Sequence, residues 1–81
     1  MKKTVRVRYF AILREQRGLD EERIVTGAAT AAELYEELRR RHSFSLPADR
    51  LRVAINDDFR TWDAPVGDGD ELVFMPPIAG G

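Results

Sequence analysis

Between Thr30 and His42 the sequence writes one amphipathic helix, and almost every other regular segment is a short apolar alternation. One long helix can cover one sheet face, so the pattern points to two layers, helix on sheet, rather than a bundle or a sandwich. Thr30 is a good N-cap, and Glu33 stands three residues later as the partner of a capping box. Ala31, Leu34, Tyr35, Leu38 and His42 fall on one face. Glu36–Arg40 and Glu37–Arg41 are expected to pair at i,i+4 on the other. Arg39, Arg40 and Arg41 lie where the helix dipole favours cations, which suits a solvated helix end better than a nucleic-acid surface.

The flanking segments read as strands. Val5, Val7 and Tyr9 alternate with Thr4, Arg6 and Arg8 in a half-buried first strand over Thr4–Phe10. Ala11–Gln16 reads as a short helix closed by Gly18. Glu22–Thr26 is a second strand whose apolar residues are Ile24 and Val25. Leu51–Ile55 is a third, and Phe59–Trp62 a short return after the turn residues Asn56-Asp57-Asp58. Asp68-Gly69 reads as a hairpin-type turn leading into the last strand, Asp70–Met75. Leu72 and Phe74 share one face of that strand, Val73 and Met75 the other. The expected class is therefore α+β, one long helix packed on a mixed sheet of four to five strands, and a ubiquitin-like β-grasp fits the order. Residues 1–75 would form the domain and residues 76–81 a flexible tail ending in Gly-Gly.

Composition narrows the chemistry. The chain of 81 residues has no cysteine and one histidine, His42. Thiol nucleophiles, thiolate metal sites and multi-histidine zinc sites are excluded, and no metal ligand is assigned. His42 itself reads as a packed or half-exposed histidine on the apolar side of its helix. Net charge is −1, unlike a general nucleic-acid binder. No apolar run reaches the roughly 18 residues that cross a membrane. The N-terminus runs straight into a strand pattern instead of a signal peptide, so a cytoplasmic location is expected. Six acidic residues against two basic ones from Leu51 onward make the last third acidic. Those acids either steer a basic partner or, as turn residues, serve the backbone.

Conventional catalytic groups are scarce, and attention falls on the end of the chain. Pro76-Pro77-Ile78-Ala79-Gly80-Gly81 cannot continue a strand or a helix. Stretched out, these residues span roughly 18–20 Å, enough to thread a pocket on another protein. Gly80 and Gly81 lack Cβ and suit a channel that side chains would block. A terminal carboxylate is inert until activated. Adenylylation followed by sulfide addition would turn it into a thiocarboxylate, a soft nucleophile that a cysteine-free chain otherwise lacks.

Several segments resemble the MoaD/ThiS sulfur-carrier family, most closely its molybdopterin synthase branch. They are Tyr9-Phe10-Ala11-Ile12-Leu13-Arg14-Glu15, Val53-Ala54-Ile55-Asn56, and Asp68-Gly69-Asp70-Glu71-Leu72 with Phe74 and the Pro-Pro-Ile-Ala-Gly-Gly ending. The resemblance implies a β-grasp fold and a cycle in which Gly81 is the reactive residue. A partner activating enzyme would use ATP to adenylylate it, and a sulfur donor would make the thiocarboxylate. The tail would then enter the large subunit of molybdopterin synthase and give sulfur to cyclic pyranopterin monophosphate. The assembly implied is a heterotetramer of two small and two large subunits, with the catalytic side chains on the large one. No cofactor would be bound permanently. The resemblance also implies partner contact through the positions held by Phe59 and Met75, the second usually aromatic. Alternatives are a ubiquitin-like modifier conjugated through Gly81, a carrier for another acceptor such as a thiamine precursor, and an interaction domain with an inert tail.

Overall fold

The computed structural model describes residues 2–76. The elements run β1 (Lys3–Tyr9), α1 (Ala11–Arg17), β2 (Glu21–Thr26), α2 (Ala31–His42), a 3-10 turn at Ala48–Arg50, β3 (Arg52–Ile55), β4 (Asp58–Arg60) and β5 (Glu71–Met75). The tail expected over Pro77–Gly81 lies outside the described residues.

The five strands form one mixed sheet in the order β2-β1-β5-β3-β4. β1 and β2 pair antiparallel, with Val5 opposite Ile24. The last strand enters the middle, parallel to β1 with Val7 opposite Leu72 and antiparallel to β3 with Val53 opposite Phe74. This is the expected ubiquitin-like β-grasp. Alternation along β1 and β5 sends Val5, Val7, Tyr9, Leu72 and Phe74 to one face, all nearly inaccessible. α2 lies over that face through Ala31, Leu34, Tyr35 and Leu38. Tyr35 meets the Phe74 ring edge-on at 5.2 Å, and Trp62 stacks on Phe74 at 5.9 Å.

The capping box forms as expected. Thr30 Oγ1 accepts from the Glu33 amide at 3.2 Å, and Glu33 Oε1 accepts from the Ala29 amide at 3.2 Å. The Ala31 and Ala32 amides, otherwise orphaned at the helix start, donate to the carbonyls of Ala64 and Trp62. The connection from β4 to β5 is thereby strapped across the N-terminus of α2. Gly18 ends α1 with φ +82°, its amide donating to Arg14 O.

Several details depart from the sequence expectation. Of the two apolar residues of the second strand, Ile24 is buried and Val25 is 57% exposed, because adjacent strand residues face opposite ways. β4 stops at Arg60, which frees Trp62 to turn into the core. Glu36 pairs with Arg39 at i,i+3 instead of Arg40, while Glu37–Arg41 forms at 2.9 Å. Asp68-Gly69 is not a hairpin turn, since β5 does not pair with the preceding strand β4 but lies between β1 and β3.

That turn is a clamp. Asp68 Oδ1 accepts from the Thr4 amide at 2.7 Å, and the Gly69 amide donates to Thr4 O at 2.8 Å. Asp70 Oδ2 accepts from the Gly67 amide at 2.7 Å. Asp70 Oδ1 accepts from Asn56 Nδ2 at 2.9 Å, and Asn56 Oδ1 accepts from the Glu71 amide at 3.0 Å. Asp68 and Asp70 thus serve the backbone at the start of β5, one of the two roles open to the acidic C-terminal third.

Candidate functional site

β5 fixes the direction in which the chain leaves the domain. It is held on both sides by ladders and at its start by the Asp68–Asp70 clamp. After Met75 comes Pro76, which has no amide to give to a ladder, so pairing ends there. Of the tail residues predicted to matter, Pro76 is described and is half-buried. Pro77, Ile78, Ala79, Gly80 and Gly81 lie outside the described residues.

The two predicted contact residues come together beside this exit, on the sheet face away from α2. Phe59 lies opposite Ala54, and Ala54 lies opposite Val73. Directly opposed residues share a face, as do Val73 and Met75 two apart on β5. Phe59 is 61% exposed, so it packs no core and is available to a partner. Met75 is half-buried. Phe10 belongs to the same surface, though only its place in the sequence resemblance marked it beforehand. It follows the outward-facing Arg8 by two residues in extended backbone (φ −131°, ψ 154°) and is 39% exposed. Its signal was present: if Val5, Val7 and Tyr9 point in, Phe10 points out. Phe10, Val73, Met75, Ala54 and Phe59 therefore make an apolar band running from the end of β1 across β5 and β3 to β4, at the end where β5 exits. Arg8 and Arg52 stand over it, their guanidinium carbons 5.6 Å from the Phe10 ring centroid and 5.5 Å from that of Phe59.

A second polar constellation lies at the opposite side of β1. Glu22 accepts from Tyr9 Oη at 2.7 Å, from Arg17 Nε at 2.8 Å and from Arg17 Nη2 at 2.8 Å. His42 Nε2 is 3.9 Å from the same carboxylate, and its ring packs on Phe44. The Arg17 hydrogen bonds hold the Glu22 carboxyl below its ordinary value, with Tyr9 adding to this and burial opposing it. Burial, then the Glu22 bond, pushes the Tyr9 phenol well up. Burial, with Arg17 and Arg41 nearby, keeps His42 below its ordinary value, Glu22 opposing. A phenol locked as a donor and a carboxylate already saturated by an arginine have no spare capacity for proton transfer. The group ties β1, α1, β2 and α2 together. His42 is thus the packed histidine that its place on the helix suggested. Among the described residues, no cluster of three or more His, Cys, Asp or Glu side chains is placed to hold a metal ion. No helix among them is long and apolar enough to cross a membrane.

Comparison with known proteins gives consistent results. The sulfur carrier subunit of molybdopterin synthase from Escherichia coli K12 is 31% identical over 80 residues, covering 95% of this chain and 99% of that protein. The subunit of the same name from Haemophilus influenzae is 35% identical over 78 residues, covering 93% and 96%. Among solved structures, a protein described as molybdopterin converting factor subunit 1 from Pyrococcus furiosus superposes with a TM-score of 0.78 at 32% identity, covering 94% of this chain and 99% of that one. A chain from the complex of subunits 1 and 2 of the Helicobacter pylori molybdopterin-converting factor gives 0.64 at 26% identity, covering 96% and 99%. The SAMP1 protein of Haloferax volcanii gives 0.75 at 27% identity, covering 96% and 99%. The model of the ThiS family matches residues 7–81, nearly the whole length. The family model over nearly the whole length and two relatives above 30% identity agree with the observed fold: this chain belongs to the ThiS family.

Proposed function

We propose that the chain is the sulfur carrier subunit of molybdopterin synthase, a sulfur-donating partner that has no catalytic side chains of its own. The observation that carries this is the near full-length likeness to sulfur carrier subunits, in a fold whose last strand leads straight to the Gly-Gly ending. In this reading the Gly81 carboxylate attacks the α-phosphorus of ATP on a separate activating enzyme, releasing pyrophosphate. A sulfur nucleophile then displaces AMP at the Gly81 carbonyl to leave a thiocarboxylate. The tail, Pro76 to Gly80, carries that sulfur into the large subunit, where it bonds to cyclic pyranopterin monophosphate, and water then cleaves the acyl–sulfur bond and returns Gly81 to a carboxylate. The dithiolene product has two sulfurs, so two charged carriers serve each product. This matches a heterotetramer of two small and two large subunits working in the cytoplasm. Phe59, Met75 and Phe10 supply the apolar contact that seats the domain.

The test is an intact mass after incubation with the activating enzyme, ATP and a sulfur source. One oxygen exchanged for sulfur, localised by fragmentation to Gly81, is expected, and a chain lacking Gly81 is expected to stay folded and transfer nothing. Normal transfer by the shortened chain would sink the proposal. A second reading, a ubiquitin-like modifier joined through Gly81 to amines, draws support from the likeness to SAMP1, described as a small archaeal modifier protein. Isopeptide-linked adducts under the same activating conditions would favour it.

A further inference from the structure

Arg8 and Arg52 flank β5 on the outer face of the sheet. Arg8 lies opposite Val73 and Arg52 opposite Met75, so one stands on each side of the strand that leads to Pro76. Two strand spacings across the sheet and a two-residue offset along β5 separate their backbone positions, about 12 Å in all. Both are exposed. Among the described residues neither has a carboxylate within ion-pair reach. Arg6, one row back on the same face, differs: it lies 3.7 Å from Glu21 and 3.6 Å from Glu71. Glu21, which lies directly opposite Arg8 on β2, and Glu71 are thus both turned toward Arg6, while Asp68 is held by the Thr4 amide. The positive charge left over is Arg8 and Arg52 beside the exit, with Arg23 farther back opposite Arg6. A chain of net charge −1 thus presents a locally positive docking face.

The guanidinium groups have two states open to them. In the free chain they rest over the Phe10 and Phe59 rings and cover part of that apolar surface, an attraction that is weak at an exposed site. Against a partner bearing carboxylates they can turn outward, form charge-assisted bonds, and uncover both rings for apolar contact.

We propose that Arg8 and Arg52 form a two-point electrostatic clamp for a protein partner that carries one carboxylate on each side of an apolar contact, and that this clamp sets the register in which β5 and its tail meet the partner. The proposal rests on the reading that the partner is the large subunit of the synthase. Two charges fix rotation about the normal to the sheet to within a half-turn, and the exit of β5 at Pro76 removes the remaining choice. A polyphosphate partner fits less well, because Glu21, Glu71 and Asp68 lie on or beside the same face.

The experiment measures affinity of the full chain for the large subunit from the same organism, from about 50 to 300 mM salt. The wild-type chain, R8E/R52E and R8L/R52L are compared, with thermal unfolding as the fold check. Wild-type affinity should fall with salt. R8E/R52E should bind about 30-fold more weakly at low salt, and R8L/R52L should lose the salt dependence. R8L/R52L should melt close to wild type, and R8E/R52E should still melt cooperatively but somewhat lower, because position 8 lies opposite Glu21 on β2. If R8E/R52E binds within about twofold of wild type with the same salt slope, the clamp is refuted while the large-subunit partnership stands. If the wild-type chain does not bind the large subunit at all, the partnership fails and the clamp falls with it.

Discussion

Replacing Glu22 by Gln keeps shape and removes charge, and the structure says what this costs. Each carboxylate oxygen receives an N–H from Arg17, Nε on Oε2 and Nη2 on Oε1. Whichever way the new amide is turned, its NH2 group faces a guanidinium donor. One charge-assisted bond becomes a donor–donor clash, and Arg17 is left without its counter-charge. Bonds to charged groups contribute about 1.5–3 kcal/mol. Breaking a fully buried pair costs about 3–5 kcal/mol, but the side chains here keep 26% and 15% of their exposure, so a loss of about 2–3 kcal/mol is expected. A domain of this length holds about 4–12 kcal/mol in all. With a urea slope near 1 kcal/mol per molar, the unfolding midpoint should drop by about 2–3 M. The effect has a pH signature. Glu22 is held below its ordinary value of 4.5 in the fold, so its contribution is present above that value and is lost as pH falls through the folded one. Wild type and variant should therefore differ at neutral pH and converge in acid. A midpoint change under about 0.5 M at pH 7, or a gap that stays constant into acid, would refute the reasoning.

Two other substitutions test separate parts of the account. His42 is held below its ordinary 6.5 in the fold, chiefly by burial, so acidification protonates the unfolded chain first. Stability should be present above pH 6.5 and decline as pH falls toward the folded value, and thermal melts of His42→Gln should lack that decline. Asn56 and Asp57 hold φ of +51° and +74° in the two-residue turn between β3 and β4, where Asn-Gly is the favoured pair. Asp57→Gly should raise stability by about 0.5–1 kcal/mol in urea titrations, and a loss would show that the Asp57 side chain has an unrecognised role.

The faces of the elements were legible in the sequence because burial follows period. Alternation alone put Val5, Val7, Tyr9, Leu72 and Phe74 inside, and the capping box placed the start of α2. Strand neighbours were not legible from pattern, since alternation names a face and not the strand beside it. The β1–β5 pairing belongs to the β-grasp architecture that the resemblance implies and cannot be read from the residues. Val25 shows the same limit: Ile24 and Val25 are equally apolar, and only the pairing with β1 decides which is buried. The exposure of Phe59 is not legible from pattern, because a three-residue edge strand has too few residues to show a period. The Tyr9–Arg17–Glu22–His42 group left no trace, since its members come from four elements and share no spacing.

The parallel pairing of β1 with β5 also governs how the domain answers a mechanical load. Because the two strands point the same way, the start of β1 and the end of β5 lie at opposite ends of one ladder. A pull on the tail, opposed at the start of the chain, is directed along both strands, so the Arg6–Tyr9 and Glu71–Phe74 ladder is strained in shear, all its bonds together. The antiparallel β3–β4 hairpin, drawn apart at its open end, would instead peel one bond at a time. A pull applied beyond Pro76 is thus met along the direction in which this ladder loads its bonds together.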